Sequence, residues 1–481
     1  MAYPKVFITT TAPYSNSIPH MGHAFEFVLA DILARHRRGN NYEDVRFSIG
    51  LDEHGTKIQE AAAFAGMPPQ EYLDINAEKW VDFCKKFNIS YDVFYRTSSK
   101  EHAEHVKSIW RHLVRKGDIY EREYTGLYCK GCESYKTNKE LINGKCPDHP
   151  IDGYVTKETE VNWTFRLSKY AKDVKSYLGY DFLVPEFKNA ELSNLIDGVE
   201  DISISRSIEK CSWGIPVPDD PTQTIYVWFD ALTFYIAAAD YFSEDSYWDE
   251  EVIQICGPDN LRFQAIIFQC MLMALDIRCI DKLLVHGTIL DGDGKKMSKT
   301  LGNTVDPVVQ VERYGINAVR YYCSVLNTCT NSAWSEEDLV NRFNADICND
   351  WGNFVSRVLS LCETKCDKDK LGTGGDHMMV YIHKNFEWKI TKAWEKLDVK
   401  EAFRLVNEMV KYGNEYINTH KPWTLTGDDL HEKMNSLLTI ILMANEHYRT
   451  MFPAESEAIY QAYGQKKKIV AFQKIEKAKI C

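Results

Sequence analysis

Three clusters in this chain of 481 residues have types and spacings that could do chemistry. The first is Pro19-His20-Met21-Gly22-His23. Two histidines three apart on a helix project to one side and could donate hydrogen bonds to a phosphoryl group. A helix N-terminus adds unpaired N–H groups and a positive dipole end, and Gly22 would let a phosphate approach the backbone. Alone, His-x-x-His is a weak signal and better describes a helix start with two solvated histidines. The second cluster runs from Asp291 through Gly292, Gly294, Lys295, Lys296 and Lys299 to Thr300. A Gly-rich turn followed by spaced lysines forms a mobile cationic loop that can close over a polyphosphate and neutralise a leaving group. It lacks the Gly-x-x-x-x-Gly-Lys-Ser/Thr spacing of a Walker loop. The third is Cys129-Lys130-Gly131-Cys132 with Cys146-Pro147-Asp148-His149. Two such pairs across a short loop have the spacing of a tetrahedral structural zinc site, with ligands Cys129, Cys132, Cys146 and His149. Stray buried thiols are the alternative, but the segment is polar and Gly-rich and offers little core to bury them.

The elements that must position these residues are legible from periodicity. Val6 to Thr9 is a short β-branched and aromatic run, and Phe25, Val28, Leu29, Ile32 and Leu33 then recur at helical spacing. Phe47 to Leu51 reads as a second strand and Lys57 to Ala65 as a second helix. This β–α–β–α order opens a doubly wound sheet. Residues 118–220 break the rhythm and hold the clustered cysteines. Strand-like runs resume at Ile225 to Phe229, Val252 to Cys256 and Leu283 to His286, with Leu261 to Leu275 helix-like. The pattern predicts one parallel sheet interrupted by an inserted domain. From about residue 336 it turns wholly helical, with apolar faces at Ile347, Trp351, Phe354, Val355 and Val358 and at Val399, Ala402, Phe403, Val406 and Val410.

Composition bounds the partners. The hydrophobic fraction of 44% and charged fraction of 26% exclude wholesale disorder and a small disulfide scaffold. No apolar run reaches the roughly 20 residues that span a bilayer. With no signal-peptide pattern at Met1 to Lys5, the expectation is a cytosolic protein, with an organelle as the alternative, and buried thiols in place of disulfides. The net charge of −12 argues weakly against a nucleic-acid partner, because binding is local.

In this order, the first two clusters resemble the HIGH and KMSKS signatures of class I aminoacyl-tRNA synthetases. Ala12-Pro13-Tyr14, Leu51-Asp52-Glu53-His54-Gly55, Phe87 to Asp92, Asp201 to Arg206, Trp213-Gly214-Ile215-Pro216, Tyr226 to Leu232 and Lys421-Pro422-Trp423 narrow the resemblance to the methionyl-tRNA synthetase family. It implies a Rossmann-like doubly wound parallel sheet with a zinc-knuckle connective insertion, followed by an α-helical bundle. The expected division is 1–117 and 221–290 for the two halves of the catalytic domain and 118–220 for the insertion. The lysine loop and stem-contact region would span 291–340, and the anticodon-binding helices 341–481. The implied reaction joins L-methionine to ATP as methionyl-adenylate, then transfers methionyl to tRNA(Met), for initiation and elongation. A diverged tRNA-binding relative without charging activity is the alternative. Editing relatives of the same class need an insertion larger than 118–220.

The resemblance also assigns roles. His20, Gly22 and His23 contact ATP phosphates, and Lys296 and Lys299 stabilise the departing pyrophosphate, with Mg²⁺ accompanying ATP. Gly257 and Asp259 hold the ribose, and His286-Gly287 lies near the nucleotide. Asp52 pairs with the substrate amine, and Ala12, Tyr14, Trp228, Leu232 and Tyr235 surround the methionine side chain, where thioether–aromatic contact is favourable. Asn353, Arg357 and Trp423 read the anticodon, by edge contacts and stacking. Zinc is structural, and a monomer is expected. Two positions depart from the family pattern. Pro258 stands where a lysine is usual, and Gln264 replaces the histidine of the methionine pocket. Gln264 can still donate and accept hydrogen bonds, with a different shape.

Overall fold

The computed structural model describes residues 4–476, apart from 17, 41–43, 133, 137, 180, 298–301 and 373–375. Lys299 therefore lies outside the described residues. The chain begins with β1 (Lys5–Thr10), α1 (Met21–Asn40), β2 (Asp44–Leu51), α2 (Thr56–Phe64), α3 (Pro69–Lys86), β3 (Val93–Arg96) and α4 (Lys100–Lys116). Next come β4 (Ile119–Cys129), β5 (Ser134–Lys136), β6 (Val155–Phe165), α5 (Leu167–Tyr177), β7 (Leu183–Val184) and α6 (Asn189–Asp197). Short strands β8 (Ile202–Ser203), β9 (Ser205–Ser207), β10 (Pro216–Val217) and β11 (Asp220–Ile225) lead into α7 (Val227–Ala238). Then β12 (Glu251–Cys256) and a π-helical turn over Phe263–Ile267 run into α8 (Phe268–Ala274) and β13 (Lys282–Val285).

Six strands form one parallel sheet in the order β3-β2-β1-β12-β13-β7. Strands later in the chain lie on opposite sides of β1, so the order reverses between β1 and β12. Open α/β sheets bind ligands beyond the carboxyl ends of the strands at such a switch point. Side-chain alternation along β1 explains how the sheet is sandwiched. Val6 and Ile8 face one buried cluster with α1, and Phe7 faces the other with α7 and α8.

Two expectations need revision. Ile225 to Phe229 reads as a strand, but β11 ends at Ile225 and the helix starts at Val227. Val227 and every α7 residue from Phe229 to Ala238 are buried, so no polar face marks the 3.6 period and the aromatic, β-branched run mimics a strand. The segment 118–220 is also not all insertion. Its β7 pairs with β13 as an edge of the main sheet, while β4, β5, β6 and β8 make a separate antiparallel sheet.

Beyond residue 336 the described structure is helical, as expected, through Gln465. One buried ion pair ties the helix Ile316–Val325 to α1, and the same arginine reaches the chain just before the helix Pro453–Gln465. Arg320 Nη2 donates to Asp31 Oδ2 at 2.7 Å, with its Nη1 on Phe87 O at 3.0 Å and its Nε on Met451 O at 3.3 Å. Burial would raise the Asp31 carboxyl, but the Arg320 and Arg35 charges and the Ser90 hydrogen bonds hold it below its usual value.

Candidate active site and metal centre

A cleft of about 720 Å³ opens at the switch point between β1 and β12. Eleven of the residues expected to bind ATP or methionine border it: Ala12, Tyr14, His20, Gly22, His23, Asp52, Trp228, Gly257, Asp259, His286 and Lys296.

One wall is the start of α1. Ala24 N–H donates to His20 O at 3.1 Å, which closes the first helical turn. His20 N–H donates to His23 Nδ1 at 3.2 Å, and Gly22 N–H to His20 Nδ1 at 3.1 Å. Both Nδ1 atoms are therefore acceptors, which places each ring's proton on Nε2. The rings stack with centroids 3.7 Å apart. A Cβ at position 22 would sit 3.0 Å from the His20 ring, so Gly22 makes room for a histidine folded back over it.

The opposite rim carries the cationic loop. Lys296 Nζ lies 2.8 Å from Asp259 Oδ2, both groups well exposed. Asp291 Oδ1 accepts from Asp293 N–H at 3.0 Å and Lys295 N–H at 2.8 Å, and Asn303 Nδ2 donates to Asp291 Oδ2 at 2.7 Å. Asp291 and Asn303 thus clasp the turn that presents Lys296. The expected ribose carboxylate is here engaged by the expected pyrophosphate lysine.

The floor contains a residue that the sequence reading missed. Glu26 accepts from Thr11 N–H at 2.8 Å and pairs with His286 Nε2 at 2.9 Å. His286 Nδ1 is 2.8 Å from Gly287 O. Glu26 follows His23 at the same three-residue step as His20 to His23, and that repeat was the available signal. Gly287 does not border the cleft. A Cβ there would fall 2.0 Å from Thr330 O, so glycine is required by a neighbouring backbone.

Leu232, Tyr235 and Gln264 are buried and do not border the cleft either. Gln264 Nε2 donates to Tyr235 Oη at 2.5 Å, which ties together two of the residues expected around methionine. Burial pushes the Tyr235 phenol well up, and it stays protonated. Trp228 stacks on Phe263 with centroids 3.8 Å apart. Asp52 is fixed by its backbone: its N–H donates to Pro13 O and its O accepts from Ser15 N–H, both at 2.9 Å. That pairing brings Asp52 beside Tyr14.

Cys129, Cys132, Cys146 and His149 converge, with one ligand atom from each within 4.8 Å of all the others. Cys132 Sγ is 3.4 Å from Cys146 Sγ and 3.3 Å from His149 Nδ1. A Cβ on Gly131 would lie 2.3 Å from the His149 ring, so the knuckle closes only around glycine. Three sulfurs and one imidazole at this spacing fit a tetrahedral metal. Cys132 also borders the cleft, which places the knuckle against the active-site candidate.

The three residues expected to read an anticodon lie in the helical region. Asn353 and Arg357 are exposed one turn apart on the helix Asn353–Lys365, and Arg357 Nη2 donates to Asn418 Oδ1 at 2.9 Å. Trp423, after Pro422, is 38% exposed, and Lys365 Nζ donates to its carbonyl.

Comparison with known proteins gives consistent results. A family model described as class I tRNA synthetases (M) matches residues 6–153 and 151–359. A methionine--tRNA ligase of Caldanaerobacter subterraneus subsp. tengcongensis is 38% identical over 458 residues, covering 92% of this chain and 70% of that protein. One of Synechocystis sp. is 33% identical over 484 residues, covering 96% and 90%. The Mycobacterium tuberculosis methionyl-tRNA synthetase in complex with methionyl-adenylate superposes with a TM-score of 0.86 at 30% identity, covering 96% of this chain and 93% of that one.

Proposed function

The chain belongs to the methionine--tRNA ligases of the class I tRNA synthetases, and on that premise we propose how its own residues carry the activity. The reaction activates L-methionine with ATP as methionyl-adenylate and then charges tRNA(Met). The observation that carries the site assignment is the cleft at the switch point, with stacked His20 and His23 on one rim and Lys296 on the other.

ATP lies across the cleft with its phosphates over the start of α1. His20 and His23 donate from Nε2 to the phosphoryl oxygens, where negative charge builds as methionine carboxylate attacks the α-phosphate. Lys296 leaves Asp259 to follow the departing pyrophosphate, assisted by Lys299, and Asp259 is then available to the ribose hydroxyls. Mg²⁺ accompanying ATP supplies further neutralisation of phosphate charge. Gly257 lets the nucleotide approach the end of β12, and Glu26 holds His286 in place beneath it. Asp52 accepts from the methionine ammonium, a charge-assisted bond. Ala12, Tyr14 and Trp228, with Leu232, Tyr235 and Gln264 behind them, enclose the side chain.

Zinc is the metal that the donor set suits: Cys129, Cys132, Cys146 and His149 would hold it, filling all four positions, so its part is to brace the knuckle. tRNA is held by local features, Arg357, Asn353 and Trp423, against an overall negative charge, so binding is salt-sensitive. On the same reading the protein works as a cytoplasmic monomer. Among the described residues no helix is long and apolar enough to cross a membrane.

The deciding experiment is ATP–pyrophosphate exchange with methionine, followed by charging of tRNA(Met). Exchange that depends on methionine is expected. Its absence at millimolar methionine would overturn the active-enzyme reading in favour of a tRNA-binding relative, for which no observation speaks.

A further inference from the structure

A buried cluster beside the cleft is unused by the mechanism above. Asp230, in the first turn of α7, has a side chain with no exposure. His54 Nδ1 lies 2.6 Å from its Oδ2, and His102 Nε2 lies 2.6 Å from its Oδ1. A carboxylate only accepts, so each imidazole carries its proton on the nitrogen facing Asp230. His102 Nδ1 is 3.2 Å from Tyr95 Oη, an acceptor for the phenol's proton. Burial would raise the Asp230 carboxyl, but the His54 charge and the two imidazole bonds hold it down to about 2. Its position at a helix N-terminus favours the same ionised form. A charge this deep is costly unless bonded on both sides, so the arrangement is either complete or strongly destabilising.

The cluster joins three elements that share no local sequence. His54 ends the segment after β2, two residues past Asp52. Asp230 is two residues past Trp228. His102, on α4, reaches neither the cleft nor the substrate but anchors the second carboxylate oxygen. Asp52 and Trp228 both border the cleft. The ATP-side groups differ: Gly257 and Asp259 hang from β12, and Lys296 from the loop clasped by Asp291 and Asn303. None of them touches His54, Asp230 or His102 through any hydrogen bond seen here.

We infer that His54, Asp230 and His102 are positioning residues for the amino-acid half of the site, setting Asp52 against Trp228 so that methionine is gripped while ATP binding is left alone. The inference rests on the proposed role of Asp52 and Trp228. His102–Asp230 fixes the carboxylate, and His54–Asp230 transmits that fixed point to the end of β2. The segment has other moorings, since Arg96 Nε bonds Glu53 Oε1 at 2.9 Å and Trp213 Nε1 bonds Glu53 O at 2.8 Å. Loss of His54 leaves Asp230 with the His102 bond alone and so lowers stability, but these moorings keep the segment folded, and within the folded chain the change falls on the setting of Asp52.

Paired variants test this in ATP–pyrophosphate exchange on the full chain. His54→Ala removes the bond, while His54→Asn places an amide N–H where Nδ1 lies. The methionine KM is expected to rise about tenfold in His54→Ala, the typical loss for a buried charge-assisted bond. It should return most of the way in His54→Asn, with the ATP KM within about twofold throughout. His102→Ala and His102→Gln, whose amide falls where Nε2 lies, should repeat the pattern more weakly. Equal effects in Ala and amide variants, or methionine and ATP KM rising together with a fall in Tm, would make the cluster merely structural and overturn the inference. An unchanged methionine KM would overturn it too. If the wild-type chain itself shows no methionine-dependent exchange, the functional reading fails first, which keeps the two failures distinct.

Discussion

Gly131→Ala gives the sharpest test of the metal centre. A Cβ at this position would lie 2.3 Å from His149 Cγ and 2.4 Å from its Cδ2. Carbon–carbon contact is comfortable at about 3.5 Å, so the ring would have to retreat by about 1.2 Å. Metal–ligand distances tolerate only about 0.2 Å, so His149 would leave the coordination sphere. A structural zinc site is worth roughly 10–16 kcal/mol, and loss of one ligand in four removes about 3 kcal/mol. That corresponds to about a hundredfold weaker zinc binding. Titration of the zinc-loaded protein with a competing chromogenic chelator measures it directly. Gly179→Ala is the control, because a Cβ there meets nothing within 4 Å. Since Cys132 borders the cleft, the Gly131 variant should also slow pyrophosphate exchange. Zinc affinity equal to wild type in Gly131→Ala would refute the reasoning, by showing either that the backbone yields or that His149 is not a ligand.

Asp31→Asn strips the negative partner from buried Arg320 and should cost about 3–5 kcal/mol, read as a lower denaturant midpoint. Trp423→Ala should cut tRNA charging by about tenfold, the worth of one stacked base, while leaving pyrophosphate exchange near wild type; loss of both together would make Trp423 structural. The His36 imidazole is held at about 3 by burial and by the His447 and Arg37 charges, against 6.5 when unshifted. The unfolded chain therefore takes up a proton that the native state refuses, so stability is full above about pH 6.5 and falls as pH drops toward 3. Urea unfolding at pH 5, 6 and 7 should show that slope reduced in His36→Gln by up to about 1.4 kcal/mol per pH unit, and an unchanged slope would count against it.

What could be read ahead of the structure was whatever is local in the chain. The β1–α1–β2 opening was legible because two short β-branched and aromatic runs flank a stretch whose large apolar residues recur at helical spacing and which ends in the basic Arg37 and Arg38. The cluster of Cys129, Cys132, Cys146 and His149 was legible because a knuckle sets the members of each pair three positions apart. α7 was misread for the opposite reason: a helix buried on nearly every side has no polar face to mark its turn. β7 was missed because two residues are too few to carry a pattern.

The functional site divides along the same line. Motif residues that sit on loops after β1 and β12 converge as expected, because the switch point brings those two loops together. The long-range pairings that hold the site residues in place were invisible. Asp230 meets His54 across 176 positions and His102 across 128, and Asp31 meets Arg320 across 289. No spacing rule reaches so far, and each of these groups is polar yet buried, which pattern reading assigns to the surface. Chemistry that touches substrate is written locally because it must sit on a turn of defined shape. The placement of that turn is written non-locally, in buried charges whose partners only the fold reveals. The consequence is testable within this chain. Substitutions at His20, His23 or Lys296 should abolish activity outright, whereas those at His54 or Asp230 should separate the two substrates' KM values, a signature that the motif segments containing them do not announce.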